Sequence, residues 1–248
     1  LVCDVGGGTT DFDFGYYRLP TPEEEDEGKE EVFEHFGAAG DKFLGGENLL
    51  EHLAFRVLRH NLDTCRKHRI AFTRPLDADD FAGSEMFLEQ TQAASTNTVM
   101  LMARLRPLWE NGALDSTCGI ETLDLLDREG QKVPCQLTIP LEELNAYLEQ
   151  RVEQGIYNFL AAFEKAFAKR KPDHVQVLLA GNASRSHWVL GTFKALETGR
   201  QAETHASESL ARVCRYANQL FPGQSLSLTI HEPLPACEQT PFTPTAKT

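Results

Sequence analysis

The chain has 248 residues, of which 41% are hydrophobic and 25% are charged, proportions that indicate a globular protein rather than a disordered or fibrous one. Its formal net charge of −13 argues against nonspecific nucleic-acid binding, which requires Lys and Arg to neutralise phosphates. No run approaches the ~18 consecutive apolar residues that span a bilayer, so we expect no membrane contact and a cytoplasmic location.

The cysteines also favour a cytoplasmic protein. No two of the six form a C-x-x-C pair, so we expect reduced thiols rather than disulfides or a metal site. They are Cys3, Cys65, Cys118, Cys135, Cys214 and Cys237. The sequence begins at Leu1 inside an apolar run, which we interpret as the start of an internal fragment of a longer protein.

The first predicted element is a hairpin, LVCDVGGGTTDFDFG. Residues 1–5 predict a buried strand, and residues 11–17 alternate as its antiparallel partner, with the glycines in the turn. Three glycines allow backbone N–H groups to meet an anion without a Cβ atom in the way. Asp4 and Asp11 flank the turn and would hold Mg²⁺ against a bound phosphate. The turn therefore predicts a magnesium–nucleotide site, and a glycine-rich hairpin without a ligand is the alternative.

Three features follow before the first long helix ends. The acidic stretch at 21–31, TPEEEDEGKEE, predicts a solvated loop, with a partner-binding segment as the alternative, and residues 32–36 predict a short third strand. The pair Gly45 and Gly46 stands just before an apolar helical pattern that reaches residue 60. After it, residues 61–134 predict a smaller accessory subdomain.

Within that subdomain, residues 98–109 predict a helix that ends at Pro107. Residues 120–126 and 135–139 predict two strands of a hairpin, separated by the turn sequence DREG.

The last part of the chain predicts a helix, a strand and a second helix. Pro140 begins a long helix whose apolar residues recur at three- and four-residue steps, a pattern typical of a core-facing stripe. Residues 174–180, HVQVLLA, predict a buried strand of a parallel sheet, followed by a turn at Gly181 and a helix near 187–196. Ligands bind at the carboxyl ends of strands in such sheets, so the strand ends at Asp4 and Gly181 predict one shared site.

Four segments, in order along the chain, resemble motifs of the actin-like ATPases in the form found in the seventy-kilodalton heat-shock (DnaK-type) chaperones. Residues 4–11, DVGGGTTD, resemble the phosphate motif D-x-G-G-G-T-x-D. Residues 40–48, GDKFLGGEN, are similar to G-D-x-x-L-G-G-E-D, and residues 138–147, TIPLEELNAY, are similar to T-R-x-x-F-E-E-L-N. Residues 178–185, LLAGNASR, resemble the adenosine motif V-L-V-G-G-S-T-R. Most of the chain, residues 1–196, is covered.

The resemblance implies an α/β fold: an actin-like ATPase (ribonuclease H-like) lobe, with a mixed sheet flanked by helices and a smaller inserted α+β subdomain. The large subdomain would comprise residues 1–60 and 135–248, and the inserted one residues 61–134. The family's first lobe would precede Leu1. The chain would then hold half of a nucleotide cleft, and we expect it to hydrolyse ATP negligibly by itself.

The function implied is the ATP-binding lobe of a DnaK-like molecular chaperone, with ATP or ADP and Mg²⁺ as cofactors. Its partners would be the missing first lobe and a protein client or co-chaperone. The main alternative is a DnaK-like pseudo-ATPase that acts as a scaffold, binding proteins through the acidic loop at 21–31 and the basic patch at 66–74. A sugar or acetate kinase would share the same core.

The resemblance also implies the site residues. Asp4 and Asp11 would be the catalytic and metal-holding acids. The residues implied to bind the nucleotide are Gly6, Gly7, Gly8, Thr9, Gly45, Gly46, Gly181, Asn182, Ala183, Ser184 and Arg185. In place of the family's E-x-x-K-R adenine clasp, the nearest basic residues are Arg104 and Arg106. Glu47 would be a favourable partner of a helix dipole, and Trp109 is expected to pack in the core.

Overall fold

Seven strands and seven α-helices form the described part of the chain, which in this computed structural model comprises residues 1–42, 44–114, 119–168, 172, 174–198, 208–220 and 227–233. The strands are β1 (Val2–Val5), β2 (Thr10–Arg18), β3 (Val32–Asp41), β4 (Ile120–Leu126), β5 (Lys132–Thr138), β6 (His174–Ala180) and β7 (Ser227–His231). The helices are α1 (Pro22–Asp26), α2 (Gly46–His60), α3 (Leu62–His68), α4 (Gln92–Asn111), α5 (Leu141–Ala166), α6 (His187–Thr198) and α7 (Glu208–Leu220). Within these residues, no helix is both long and apolar enough to cross a membrane.

A five-stranded mixed sheet in the order β3-β2-β1-β6-β7 organises the larger part of the molecule. The strands β1, β2 and β3 pair antiparallel, whereas β6 is parallel to both β1 and β7. In the register between β1 and β6, Asp4 lies opposite Ala180, so the carboxyl ends of these two strands are neighbours. The expected α/β class, with a mixed sheet flanked by helices, is confirmed.

The core lies between one face of this sheet and α5 with its neighbouring helices. Phe12 of β2 meets Phe159 of α5 edge to face with ring centres 5.4 Å apart, and Phe159 meets Phe193 of α6 at 5.4 Å. Because side chains alternate along a strand, Asp4 and Asp11 point to the opposite, open face. The apolar stripe of α5 is core, as expected, with buried Leu144, Leu148, Val152, Ile156, Phe159 and Phe163.

The expected inserted segment, residues 61–134, contains α3, α4, β4 and the start of β5, and hydrogen bonds tie its first residue to the end of β5. Asn61 accepts a hydrogen bond from the backbone N–H of Thr138 at 2.8 Å and donates to the Thr138 carbonyl at 2.8 Å. Asn97 of α4 makes the same two-way contact with Leu126 of β4, at 2.7 and 2.8 Å. The predicted hairpin is confirmed, and the division of the chain into subdomains stays a prediction.

The solvated loop expected at 21–31 is wrong in one respect, because it contains the short helix α1. Thr21 forms a capping box in which its hydroxyl accepts from the Glu24 N–H at 3.4 Å and its own N–H donates to the Glu24 carboxylate at 2.8 Å. Arg18 holds the same carboxylate at 2.7 and 3.0 Å. No residue of α1 is buried, so the acidic surface itself is solvated as expected.

Boundaries of three elements also differ from the predictions, and the first is that β5 begins at Lys132 rather than at 135. The third strand does not end at Phe36 but continues to Asp41, because β2 offers a ladder of backbone hydrogen bonds that pairs Thr10 with Asp41. Helix α4 begins at Gln92 rather than at 98, and it does not end at Pro107 but runs to Asn111. Proline removes one N–H bond from a helix, and here the buried side chains on both sides of Pro107, among them Leu105 and Leu108, keep the helix packed.

Candidate functional site

The turn between β1 and β2, Gly6–Thr9, is called the glycine turn below. It is closed by a hydrogen bond from the Gly6 N–H to the Thr9 carbonyl at 2.9 Å. Gly45 packs directly against its backbone, since a Cβ atom at this position would lie 2.4 Å from the Gly7 carbonyl oxygen. Gly45 is therefore required by the close approach of two chain segments.

The carbonyl groups of Gly6, Gly7 and Gly8 point toward the start of α2. The contacts are Gly46 N–H to the Gly6 carbonyl at 3.0 Å, Glu47 N–H to the Gly7 carbonyl at 2.8 Å, and the Asn48 side-chain amide to the Gly8 carbonyl at 3.1 Å. In a trans peptide the carbonyl and the following N–H point in opposite directions. The amides of Gly7, Gly8 and Thr9 therefore point away from α2, and within the described residues they donate to no acceptor. All three residues are exposed, so the turn presents three adjacent unused donors.

Two carboxylates stand beside these donors. Asp4 and Asp11 are direct partners across β1 and β2, where Cβ atoms lie about 4.5–5.5 Å apart, and like charges in this arrangement repel. The Thr9 hydroxyl donates to Asp11 at 3.5 Å. In the described ranges, no three or more His, Cys, Asp or Glu side chains form a cluster that could hold a metal ion. The pair fits Mg²⁺, which takes one or two carboxylates and completes its shell with water and phosphate oxygens.

The turn after β6 is fixed against the same point. Gly181 has a φ of +78°, and a Cβ atom there would lie 2.2 Å from Asp4 Oδ1 and 2.4 Å from the Val5 carbonyl oxygen. Only glycine satisfies both the backbone angle and this contact. The two strand ends thus meet, as the sequence predicts.

A cleft of about 540 Å³ opens between the glycine turn, the start of α2, the end of α4 and the turn after β6. The expected site residues that line it are Gly7, Gly46, Asn182, Ala183 and Arg185. Other expected residues belong to the turns that border the cleft: Gly6, Gly8, Thr9, Gly45 and Gly181. Asp4 and Asp11 lie in the strands β1 and β2 beside these turns. One set of elements therefore brings the two predicted turns to a single opening.

Ser184 is the exception among the expected site residues. It is fully buried, its hydroxyl donates to the Ala180 carbonyl, and it accepts from the Val5 N–H at 3.4 Å. Ser184 lies inside the protein rather than on the wall of the cleft, and its hydroxyl fastens the turn to β1 and β6.

Helix α4 supplies part of the wall of the cleft, and sequence reasoning gave Trp109 no role there. Arg106 Nη2 lies 2.8 and 3.1 Å from the two carboxylate oxygens of Glu47, and both side chains line the cleft. Trp109 is buried as expected, yet its Nε1 lies 3.1 Å from where a Cβ of Gly46 would be. Arg104 instead pairs with Glu121 away from the cleft, at 2.6 and 2.7 Å. Sequence reasoning named Arg106 only as a substitute for the adenine clasp. Its three-residue spacing from Trp109 puts both residues on one helix face, and that spacing is the signal that α4 lines the cleft.

Cys3 lies next to Asp4 but on the core face of β1. Burial, and after it the charge of Asp4, raises the pKa of the Cys3 thiol to about 12. The thiol is therefore neutral near pH 7 and is no candidate nucleophile. Cys65, Cys135 and Cys214 are also free and buried, whereas Cys118 and Cys237 lie outside the described residues.

Comparison with models of known protein families gives no match, and no curated protein matches the chain significantly. The geometry of the cleft and its two turns therefore carries the functional conclusion.

Proposed function

We propose that the chain binds a magnesium nucleotide, ATP or ADP, with its phosphates on the glycine turn. The observation that carries this proposal is the set of three adjacent amides of the exposed residues Gly7, Gly8 and Thr9, which donate to no acceptor within the described part of the chain. Backbone N–H groups arranged in this way form an anion site. Phosphate is the anion that nucleotides bring.

The aspartates define the metal requirement. Asp4 and Asp11 would repel a free phosphate, but they would hold Mg²⁺ or its waters between themselves and the ligand. When bound, Mg²⁺ would neutralise part of the phosphate charge. The two carboxylates would fix its position relative to the amides, so nucleotide binding should depend on magnesium.

Gly8 supports a ligand in a second way. Its φ is not positive, and a Cβ atom on it would meet nothing within 4 Å among the described atoms. The chain therefore has no steric need for glycine there, in contrast to Gly45. Free space above three unused amides suits a phosphate group.

The cleft provides a place for the nucleoside. Arg185 lies at its wall beside Asn182 and Ala183. A planar guanidinium can stack on a base, and we assign that role to Arg185. Because Ser184 is buried, the backbone and the side chains of its neighbours would make the remaining contacts.

At the level of the fold, we propose the second lobe of an actin-like ATPase of the DnaK-like chaperone type. The support is the strand order β3-β2-β1-β6-β7 together with turns that lie where the four sequence motifs fall. Hydrolysis would then require phosphate-contacting groups of a first lobe, since the described residues approach the phosphate position from one side. Clients and co-chaperones would be partners of the whole protein.

A scaffold function is the second candidate, and α1 favours it. This helix has no buried residue and presents an acidic surface, which the capping box and Arg18 hold in one conformation. A chain that binds a basic protein through α1 while it fails to bind nucleotide would be a pseudo-ATPase.

Equilibrium dialysis with ADP, with and without Mg²⁺, tests the nucleotide proposal. We expect Asp4→Asn and Asp11→Asn to lose about tenfold or more of the magnesium-dependent affinity while remaining folded, because each change removes a like-charge repulsion. Asp13→Asn, two residues along β2 on the same face, is the matched control. Magnesium-independent binding, or equal affinities in all variants, would contradict the proposal.

A further inference from the structure

Glu47, in the first turn of α2, lies beside Gly7 of the glycine turn. Its Cγ atom is 3.4 Å from where a Cβ of Gly7 would be, and its side chain is 52% exposed at the wall of the cleft. A carboxylate in this position repels an incoming polyanion. A carboxylate in the first turn of α2 interacts favourably with the helix dipole. The dipole does not account for the pairing of Glu47 with Arg106.

That partner, Arg106, carries the opposite charge into the same cleft. The Nη2 atom of Arg106 contacts both carboxylate oxygens of Glu47, and its Nη1 atom lies 3.8 Å from Oε1 of Glu110. Two glutamates thus neutralise a cation that would otherwise attract phosphate. The Arg106 side chain is 38% exposed, and exposed ion pairs are weak, so a stronger anion can replace Glu47.

We propose that Arg106 is an anion receptor that Glu47 occupies until a polyphosphate ligand arrives, at which point Arg106 exchanges the carboxylate for ligand oxygens. The inference rests on the proposed nucleotide function. It assigns to the Glu47–Arg106 ion pair a role in specificity: a ligand reaches Arg106 only if its own anionic group displaces the Glu47 carboxylate.

The first test compares ADP with adenosine, its uncharged counterpart, in the Glu47→Gln variant. We expect ADP affinity to rise about three- to tenfold and adenosine affinity to change less than about twofold, since only the charged ligand gains from a freed arginine. The matched control is Glu129→Gln. It breaks an exposed pair of the same kind, Arg69–Glu129 at 2.6 Å, outside the cleft, and it should leave both affinities unchanged.

A second test separates direct contact from a distant charge effect. Arg106→Gln should weaken ADP binding. The double variant Glu47→Gln/Arg106→Gln has the same net charge as the wild type, so it should bind ADP like the wild type if only distant charges matter. Partner exchange predicts that the double variant binds more weakly than the wild type, because the direct contact to the ligand is lost. Equal affinities would overturn the inference.

The outcomes also separate this inference from the proposed function. If the wild type binds ADP and Glu47→Gln binds equally or less well, the inference is wrong and the nucleotide site stands. If neither protein binds ADP at millimolar concentration and the amides of the glycine turn do not respond, both are wrong. Binding gained only in Glu47→Gln supports the inference.

Discussion

At the residue scale, glycine occurs at three positions of the site for different physical reasons. Gly45 and Gly181 meet other parts of the chain at distances that exclude a Cβ atom. A Cβ atom on Gly8 would meet nothing within 4 Å among the described atoms, and its backbone angle is open to other residues. The first two are explained by the fold, whereas Gly8 is explained by a ligand.

This difference predicts opposite behaviour of two alanine variants. Gly8→Ala should change the free energy of unfolding by less than about 0.5 kcal/mol and should weaken Mg·ADP binding by about tenfold, because the methyl group enters the phosphate space. Gly45→Ala should lower the free energy of unfolding by about 1–3 kcal/mol through backbone overlap. Urea denaturation and ADP binding measure both effects. A Gly8→Ala protein with unchanged affinity would remove the ligand explanation.

The sequence predicts the residues of the site better than their contacts. The aspartates and glycines follow from one short motif, because a turn and its flanking strands are local. Ser184 could not be placed, since its burial depends on the neighbouring strands. The Glu47–Arg106 contact joins residues far apart in the chain and depends on how α4 packs against α2, which local pattern does not determine.

At the element scale, one buried carboxylate fastens α7 to α5. Arg212 of α7 donates two hydrogen bonds to Glu153, each at 2.8 Å, and the Tyr157 hydroxyl donates to the same group at 2.7 Å. Glu153 is only 8% exposed. Its three charge-assisted or phenolic contacts compensate for the loss of water around the carboxylate.

Removal of this carboxylate should loosen α7. We expect Glu153→Ala to lower the free energy of unfolding by about 1–3 kcal/mol, because the Arg212 guanidinium and the Tyr157 hydroxyl lose their acceptor. Glu164→Ala, at an exposed position of α5, is the control and should change it by less than about 0.5 kcal/mol. Urea denaturation measures the free energy of unfolding of both variants. Equal decreases in the two variants would show that the hydrogen bonds of Glu153 contribute no specific stability.

Elements with strong periodicity were predictable, and those set by partners were not. The stripe of α5 and the continuous apolar run of β6 fix their type from sequence alone. The extension of β3 to Asp41 depends on pairing with β2 rather than on its own Gly-Ala-Ala-Gly composition, which is unfavourable for a strand. The persistence of α4 through Pro107 depends likewise on the buried residues around the proline. The helix α1 could have been predicted from a local pattern, the capping box formed by Thr21 and Glu24.

At the scale of the whole molecule, buried thiols and phenols make stability depend on alkaline pH. Burial raises the pKa of Cys3 and Cys65 from an ordinary value of 9.0 to about 12, and it raises that of Tyr147 from 10.0 to about 12. The folded state therefore keeps protons that the unfolded chain releases. Because the unfolded state binds fewer protons, the free energy of unfolding falls as pH rises above about 9.

We expect this loss to be about 1.4 kcal/mol per pH unit for each thiol between pH 9 and 12, with the phenol adding to it above pH 10. Urea titrations between pH 8 and 10.5 measure the slope. Cys65→Ala should show a smaller slope than the wild type, whatever its stability at pH 8. A free energy of unfolding that stays constant over this range would contradict the burial of these groups.

The central claim is that two turns of one cleft bind one magnesium nucleotide, and an NMR titration with Mg·ADP to millimolar concentration tests it most directly. Saturable shifts with one common dissociation constant are expected in both turns, at residues 6–9 and 181–185. The largest should fall on the amides of Gly7, Gly8 and Thr9, and all should be lost in Asp4→Ala. No shift in either turn, or shifts that persist in Asp4→Ala, would contradict the claim.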